Sequence, residues 1–252
     1  MNPFTLEGKR ILVTGASSGI GRATAVMVSE MGATAYLVSR RQEQLEETRR
    51  LMKDPDRHRA ITCDVSDWTK IPQLVADIAK DGKLDGLAHS AGIGPATPLR
   101  TVTFEDVQHV NAVNFGSYVG LVKECTKRKN SNDGFSAVAV SSLAALVGTA
   151  GQTAYAGSKG ALAAVTRTLA IELVPRKIRV NSVCPSNIRT QMFDDVAADM
   201  NGDEGMERLL WKQPFGFGTP EQVASAICFL LSDAASFITG VNLPVDGGYL
   251  AQ

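Results

Sequence analysis

Lys9-Arg10-Ile11-Leu12-Val13-Thr14-Gly15-Ala16-Ser17-Ser18-Gly19-Ile20-Gly21 is the stretch whose reading decides the fold. Lys9 to Val13 reads as a short buried strand, and Arg22 to Met31 reads as a helix. Between them the glycines follow the spacing G-x-x-x-G-x-G rather than G-x-G-x-x-G. Glycine permits a tight turn and lets a pyrophosphate approach the backbone; the helix amides and dipole then meet its negative charge. Gly15, Ser17, Ser18, Gly19, Ile20 and Gly21 are therefore the candidate phosphate cradle. A glycine-rich turn between strand and helix also serves structure alone, so the rest of the chain has to carry the assignment.

Outward from this turn, strands alternate with helical periodicity. Strands are expected near 9–14, 34–39, 59–63, 84–89, 136–141, 178–184 and 241–245. Such alternation predicts an α/β fold, a Rossmann-like doubly wound parallel seven-stranded sheet, with ligands at the carboxyl ends of the strands. No linker, repeat or low-complexity tract interrupts it, so residues 1–252 read as one domain. Asn130-Ser131-Asn132-Asp133-Gly134 reads as a polar turn.

The end of the second strand bears on the cofactor. Thr34 to Val38 is followed by Ser39-Arg40-Arg41. NAD sites usually carry an acid about twenty residues past the glycines, bonded to the ribose 2′-hydroxyl. Ser39 fills that slot here, with Arg40 beside it. A carboxylate would repel a 2′-phosphate, whereas a guanidinium binds one in a fork, so NADP(H) is expected. Arg40 and Arg41 also suit the start of a solvated helix over 42–52.

Tyr155 and Lys159 stand four residues apart, one helical turn, with Ser142 thirteen residues upstream. A free phenol has a pKa near 10, and a neighbouring ammonium lowers it toward the range useful to a general acid. Two side chains at this spacing also occur on ordinary helices, so the pair gains weight only from its company.

Taken together, these segments resemble the single-domain short-chain dehydrogenase/reductase family, with similarity to 3-oxoacyl-acyl-carrier-protein reductases. The resemblance covers nearly the whole chain. It rests on Thr14–Gly21, Cys63-Asp64-Val65, His89-Ser90-Ala91-Gly92, Asn114, Ser142, Tyr155/Lys159, Pro185-Ser186-Asn187-Ile188-Arg189-Thr190 and Val245-Asp246-Gly247-Gly248. It implies Tyr155 as acid/base, Lys159 as the group that lowers its pKa and holds the nicotinamide ribose, and Ser142 as a bond to the substrate oxygen. It implies that Asn114 anchors a water linked to Lys159. Asp64 and Val65 would flank the adenine, and Ile188 and Thr190 would meet the nicotinamide carboxamide. Ser90, Ala91, Gly92 and Pro185 would complete the cofactor site. Ser141 competes with Ser142 for the substrate oxygen; spacing within the family favours Ser142. Two departures stand out: His89-Ser90 replaces the common Asn-Asn, and Pro185-Ser186 replaces Pro-Gly, where serine would be costly if φ were positive.

Hydride transfer leaves alkoxide character on oxygen, which Ser142 and Tyr155 would stabilise with hydrogen bonds. The leading expectation is an NADPH-dependent carbonyl reductase. Its rivals are an NADP-linked alcohol dehydrogenase working oxidatively and a cofactor-binding sensor without turnover. Residues 190–217 mix apolar and acidic side chains; the resemblance makes them a substrate lid, and helices packed on the core read equally well. Leu143, Ala144, Leu146, Val147 and Gly94-Pro95-Ala96 would line an apolar pocket. Reductases acting on acyl-carrier protein often carry a basic residue where this chain has Ile171.

Lys plus Arg and Asp plus Glu both number 26, so neither nucleic acid nor an acidic membrane is an expected partner. No 18-residue apolar run and no signal-peptide pattern occur, which with four cysteines lacking a C-x-x-C pair predicts a cytoplasmic protein with reduced thiols. Three histidines show no metal-ligand spacing, so no metal is expected. The resemblance implies a homotetramer, or a homodimer. The stretches 161–164 and 223–231 suit either subunit burial or an internal core.

Overall fold

A computed structural model describes residues 2–94, 96–198, 207 and 209–252, excluding the side chains of 195–198. Seven strands form one parallel sheet: β1 (Arg10–Thr14), β2 (Thr34–Ser39), β3 (Arg59–Thr62), β4 (Leu84–His89), β5 (Ser131–Val140), β6 (Arg179–Pro185) and β7 (Asn242–Val245). Their spatial order is β3-β2-β1-β4-β5-β6-β7. The chain runs one way from β1 to β3 and returns to place β4 on the other side of β1. The crevice at this reversal lies at the carboxyl ends of β1 and β4, where doubly wound sheets bind ligands.

Both faces of the sheet are buried, which explains the nearly continuous apolar runs of its strands. Side chains alternate between faces with period two. Ile11 and Val13 join Ala35 and Leu37 in one core, whereas Leu12 joins Tyr36 and Val38 in the other. The first core is closed by α1 (Gly19–Glu30) and by the late helix Pro220–Leu231. In α1 the buried residues Gly21, Thr24, Ala25, Val28 and Ser29 recur at helical spacing, so a single stripe faces the sheet. Gly32, at φ +92°, ends the helix in a conformation that glycine adopts without a Cβ penalty.

Four further helices follow: α2 (Gln42–Leu51), which adds Leu45 to the first core, α3 (Ile71–Ala79) and α5 (Ser117–Cys125), which build the second, and α4 (Phe104–Asn111). A single π-helical turn, Ala112–Gly116, joins α4 to α5. The long α6 (Thr153–Glu172) carries Tyr155 and Lys159, and α7 (Gln191–Ala198) follows β6. The late helix Pro220–Leu231, now α8, starts from a capping box between Thr219 and Gln222 with Pro220 in its first turn.

Each expected strand is present. β5 differs in where it begins: Ser131 pairs with Leu84, but the next pair is Ser136 with Gly86. Five residues of β5 thus span two of β4. The exposed Asn132–Gly134 bulges outward at the polar turn read from sequence, with Gly134 at φ +82°. The stretch 223–231 belongs to the internal core, with Val223, Ala224, Ile227, Cys228, Leu230 and Leu231 buried. Ser186 has no positive φ, so the Pro185-Ser186 turn accepts serine without backbone strain. Pro95, residues 199–206 and Arg208 lie outside the described residues, so much of the expected lid is not assigned here.

Candidate active site

The glycine turn is built by contact rather than by sequence habit. Gly15 has φ +66°, and a Cβ on it would lie 2.7 Å from the Ala91 amide nitrogen. A Cβ on Gly21 would lie 2.2 Å from the Gly15 carbonyl oxygen. These distances are below any real carbon contact, so β1, α1 and the loop after β4 close together only with glycine at both positions. Ser18 is the N-cap of α1, its side chain makes no capping bond, and no acid occupies the first turn. The helix end therefore offers its amides to an anion.

A cleft of about 340 Å³ opens over this turn. Gly15, Ser17, Ser18, Gly19 and Ile20 form its floor; Gly21 lies beneath, packed on Gly15. Ser39, Arg40 and Arg41 line one end, and Asp64 and Val65 line the neighbouring wall. Ser90, Ala91 and Gly92 lie opposite, and Tyr155, Lys159 and Thr190 line the inner end. Arg41 reaches across the turn and donates to Ser17 Oγ and Ser18 Oγ, both at 2.8 Å. Arg40 is exposed beside it. Hydrogen bonds from Ser66 hold the Asp64 carboxyl below its ordinary range, with a smaller contribution from Arg40.

A second cavity, of about 190 Å³, adjoins the first. Ser142, Pro185 and Ile188 line it, and Tyr155 and Thr190 are common to both spaces. Leu143, Ala144, Val147 and Gly94 take part in its walls as expected, whereas Leu146 is 48% exposed and is not among its lining residues. The ring of Tyr155 lies against Gly94, where a Cβ would come within 2.9 Å of Cε2.

The two serines at the end of β5 separate cleanly. Ser141 is buried and donates to the Lys159 carbonyl at 2.8 Å. Ser142 faces the cavity, accepts from the Ala144 amide at 3.1 Å and lies close enough to the Tyr155 phenol to act on it. Burial pushes the Tyr155 phenol above its ordinary value, with the Ser142 hydroxyl pulling the other way. This differs from the expectation that Lys159 lowers it. The Lys159 ammonium stands 5.6 Å from the ring centroid and donates to the Val140 carbonyl at 2.8 Å, so desolvation of the phenolate dominates. Burial also pulls Lys159 down to about 8, leaving it mainly cationic at neutral pH.

Asn114 is fully buried in the π-helical turn. Its carboxamide accepts from the Ile93 amide at 2.8 Å and donates to the Ile93 carbonyl and to Ser158 Oγ, each at 2.9 Å. Ser158 in turn donates to the Tyr155 carbonyl at 2.7 Å. His89 supports this chain from below. Its Nε2 lies 3.3 Å from the Asn114 carbonyl, which can only accept, so Nε2 carries the hydrogen. Nδ1 then accepts from the Thr14 hydroxyl at 2.9 Å, and Thr14 Oγ1 accepts from the Ala91 amide at 3.3 Å. Burial, then the Lys159 charge, pulls His89 down to about 3, so it stays neutral. Thr14, His89, Asn114, Ser158 and Tyr155 thus join the glycine turn to α6. Sequence reading places His89 beside the cofactor turn, as a departure from the family pattern and as a structural histidine at a strand end; the π-helical turn and the Thr14 contact carry no local signature that pairs them.

The family model described as Enoyl-(Acyl carrier protein) reductase matches residues 15–250. The chain belongs to the short-chain dehydrogenase/reductase family. This dehydrogenase/reductase is 35% identical to a 3-oxoacyl-[acyl-carrier-protein] reductase of Thermotoga maritima, over 96% of the chain and 98% of the relative. It is 34% identical to an NAD-dependent glycerol dehydrogenase of Listeria innocua, over 98% of the chain and 95% of that relative. A solved structure described as an NAD(P)-dependent gluconate 5-dehydrogenase from Beutenbergia cavernae, carrying NADP at low occupancy, superposes with TM-score 0.91. It is 30% identical and covers 100% of both chains. An oxidoreductase built on a nicotinamide cofactor follows from this membership, and the glycine floor of the cleft fits a dinucleotide. No described helix is long and apolar enough to cross a membrane.

Proposed function

We propose that this protein is an NADPH-dependent carbonyl reductase that transfers hydride between NADP(H) and a ketone or secondary alcohol. The observation that carries the reading is Tyr155, which lines both the dinucleotide cleft and the smaller cavity, with Ser142 close enough to act on its phenol. A bound nicotinamide supplies the hydride. The chain's own residues do the rest: Ser142 and Tyr155 orient the carbonyl oxygen, and the phenol proton passes to that oxygen as the carbon is reduced. Lys159 supplies the nearby positive charge that offsets the phenolate left behind. Asn114 keeps the start of α6 against the loop after β4 through Ile93 and Ser158.

Burial keeps Tyr155 protonated and Lys159 is mainly cationic at neutral pH, which is the pair a proton donor requires. Oxidation needs phenolate, which the same burial opposes. The preference for a 2′-phosphate rests on Arg40, Arg41 and the serines around them, with Ser39 in place of an acid.

The test is consumption of NADPH by the purified protein over a panel of 3-oxoacyl thioesters, simple and cyclic ketones, and free or nucleotide-linked keto-sugars. Turnover with NADPH, much exceeding that with NADH, is expected. Substantial oxidation of an alcohol at pH 7 without matching ketone reduction far from equilibrium would oppose the reductive reading.

A further inference from the structure

The glycine turn is hooked from behind by α2. Ala16 and Ser17 each carry a carbonyl that no backbone amide of the described residues takes up. Thr48, fully buried on α2, serves the first. Its single hydroxyl hydrogen is shared between the Ala16 and Gln44 carbonyls, each at 2.9 Å. A threonine bond to the carbonyl four residues back is an ordinary helical habit; the bond to Ala16, 32 residues away, is not. Arg22 serves the second. One of its guanidinium nitrogens donates to the Ser17 carbonyl at 2.8 Å and to Glu47 of α2 at 2.7 Å. Its Nε donates to the Thr48 hydroxyl at 3.0 Å, so the two hooks are joined.

Planarity of the peptide fixes what the other side of each unit does. In a trans peptide the carbonyl of one residue and the N–H of the next point in opposite directions. Both peptides are trans. The Ala16 carbonyl points to Thr48, so the Ser17 amide points away from it. The Ser17 carbonyl points to Arg22, so the Ser18 amide points away likewise. Ser17 and Ser18 line the cleft, whereas Ala16, Arg22 and Thr48 are not among its lining residues. The amides of Ser17, Ser18, Gly19 and Ile20 make no hydrogen bond among the described residues. Gly15 at φ +66° and Gly19 at φ +52° bracket these peptides, and glycine takes up other backbone conformations at little cost. A peptide turned over would set a carbonyl oxygen against a bound anion. The hooks on the two carbonyls oppose that turn.

We propose that Thr48 and Arg22 are positioning residues for the pyrophosphate of the dinucleotide. They hold the carbonyls of Ala16 and Ser17 back toward α2, which leaves the amides that follow facing the diphosphate. Neither side chain touches the cofactor. The proposal rests on the dinucleotide cofactor of the family and is independent of the substrate, of the direction of reaction and of the 2′-phosphate preference.

The experiment titrates the full chain with NADPH, NADH and ADP-ribose, which share the pyrophosphate and differ at either end. Thr48→Val keeps the shape and deletes the hydroxyl. It should weaken all three by one common factor of about threefold to tenfold, the worth of a hydrogen bond. Thr48→Ser, which keeps the hydroxyl, should stay within twofold of wild type. Arg22→Leu should repeat the common loss; its side chain is 29% exposed, so this variant decides if Thr48→Val fails to fold. Phosphorus NMR of the oxidised cofactor bound at saturation separates the phosphates. The diphosphate resonances should shift in Thr48→Val while a 2′-phosphate resonance stays in place. Unchanged affinity in the folded variants, a loss confined to NADPH, a loss shared by Thr48→Ser or unmoved diphosphate resonances would each overturn the proposal. A wild type that prefers NADH would remove the 2′-phosphate reading and leave this one standing, because the factor is measured for each cofactor separately.

Discussion

The cleft over the glycine turn and the smaller cavity beside it share Tyr155 but are made differently. The cleft is a backbone construction: glycines 15 and 21 admit contacts that a Cβ would forbid, and a helix end supplies amides. The cavity is a side-chain construction drawn from the segments after β4, β5 and β6, the start of α6 and the carboxyl-terminal Tyr249. Backbone sites tolerate little variation because their geometry depends on absent atoms. Side-chain sites change chemistry with one substitution while the sheet beneath stays the same. The relatives accordingly include both a 3-oxoacyl-[acyl-carrier-protein] reductase and a glycerol dehydrogenase.

Substitutions at the two regions should separate accordingly. The largest effect outside Tyr155 is expected at Lys159, where Lys159→Met should lower kcat by about 100-fold or more by removing the charge that offsets phenolate. A rate near wild type would mean that the buried ammonium serves only Val140. Next, replacing Arg40 and Arg41 by Asp should weaken NADPH by roughly 10- to 100-fold, the range of lost charge-assisted bonds, while NADH changes little. Equal losses for the two cofactors, measured by fluorescence titration, would remove the 2′-phosphate assignment.

Smaller effects test the cleft's framework. Gly21→Ala should cost roughly 1–3 kcal/mol of stability and also weaken NADPH, because the new methyl displaces the Gly15 carbonyl. Stability loss with intact NADPH affinity would show that the turn adapts. His89 gives a pH signature. Its folded value near 3 lies below the ordinary value of 6.5, so the unfolded chain binds more protons through that window. Its contribution is thus present above about 6.5 and is lost as pH falls toward 3. Denaturant titrations should show a shallower decline on acidification in His89→Asn than in wild type. Parallel declines would assign the acid sensitivity elsewhere.

The legibility of the two regions follows the same division. All seven strands were readable because a doubly covered parallel sheet leaves short apolar runs between turn residues, as in Ile11–Val13 and Ala137–Val140. The cradle residues were readable because glycine spacing records backbone contact directly. Ser142 was separable from Ser141 only by motif spacing; in the folded chain one faces Tyr155 and the other bonds to the Lys159 carbonyl. The phenol's shift was not readable, because spacing reports the Tyr155–Lys159 distance but not the burial that outweighs it. Neither was the path from Thr14 through His89 to Asn114, which joins positions 75 and 25 residues apart.

The most direct test of the central claim is Tyr155→Phe, with NADPH turnover and NADPH binding measured on the same preparation. The account predicts that kcat with the best ketone falls by about 100-fold or more while NADPH affinity stays within a few-fold, because the phenol donates the proton and the backbone cleft holds the cofactor. Persistent turnover would contradict the assignment of Tyr155 as the acid, whatever the substrate.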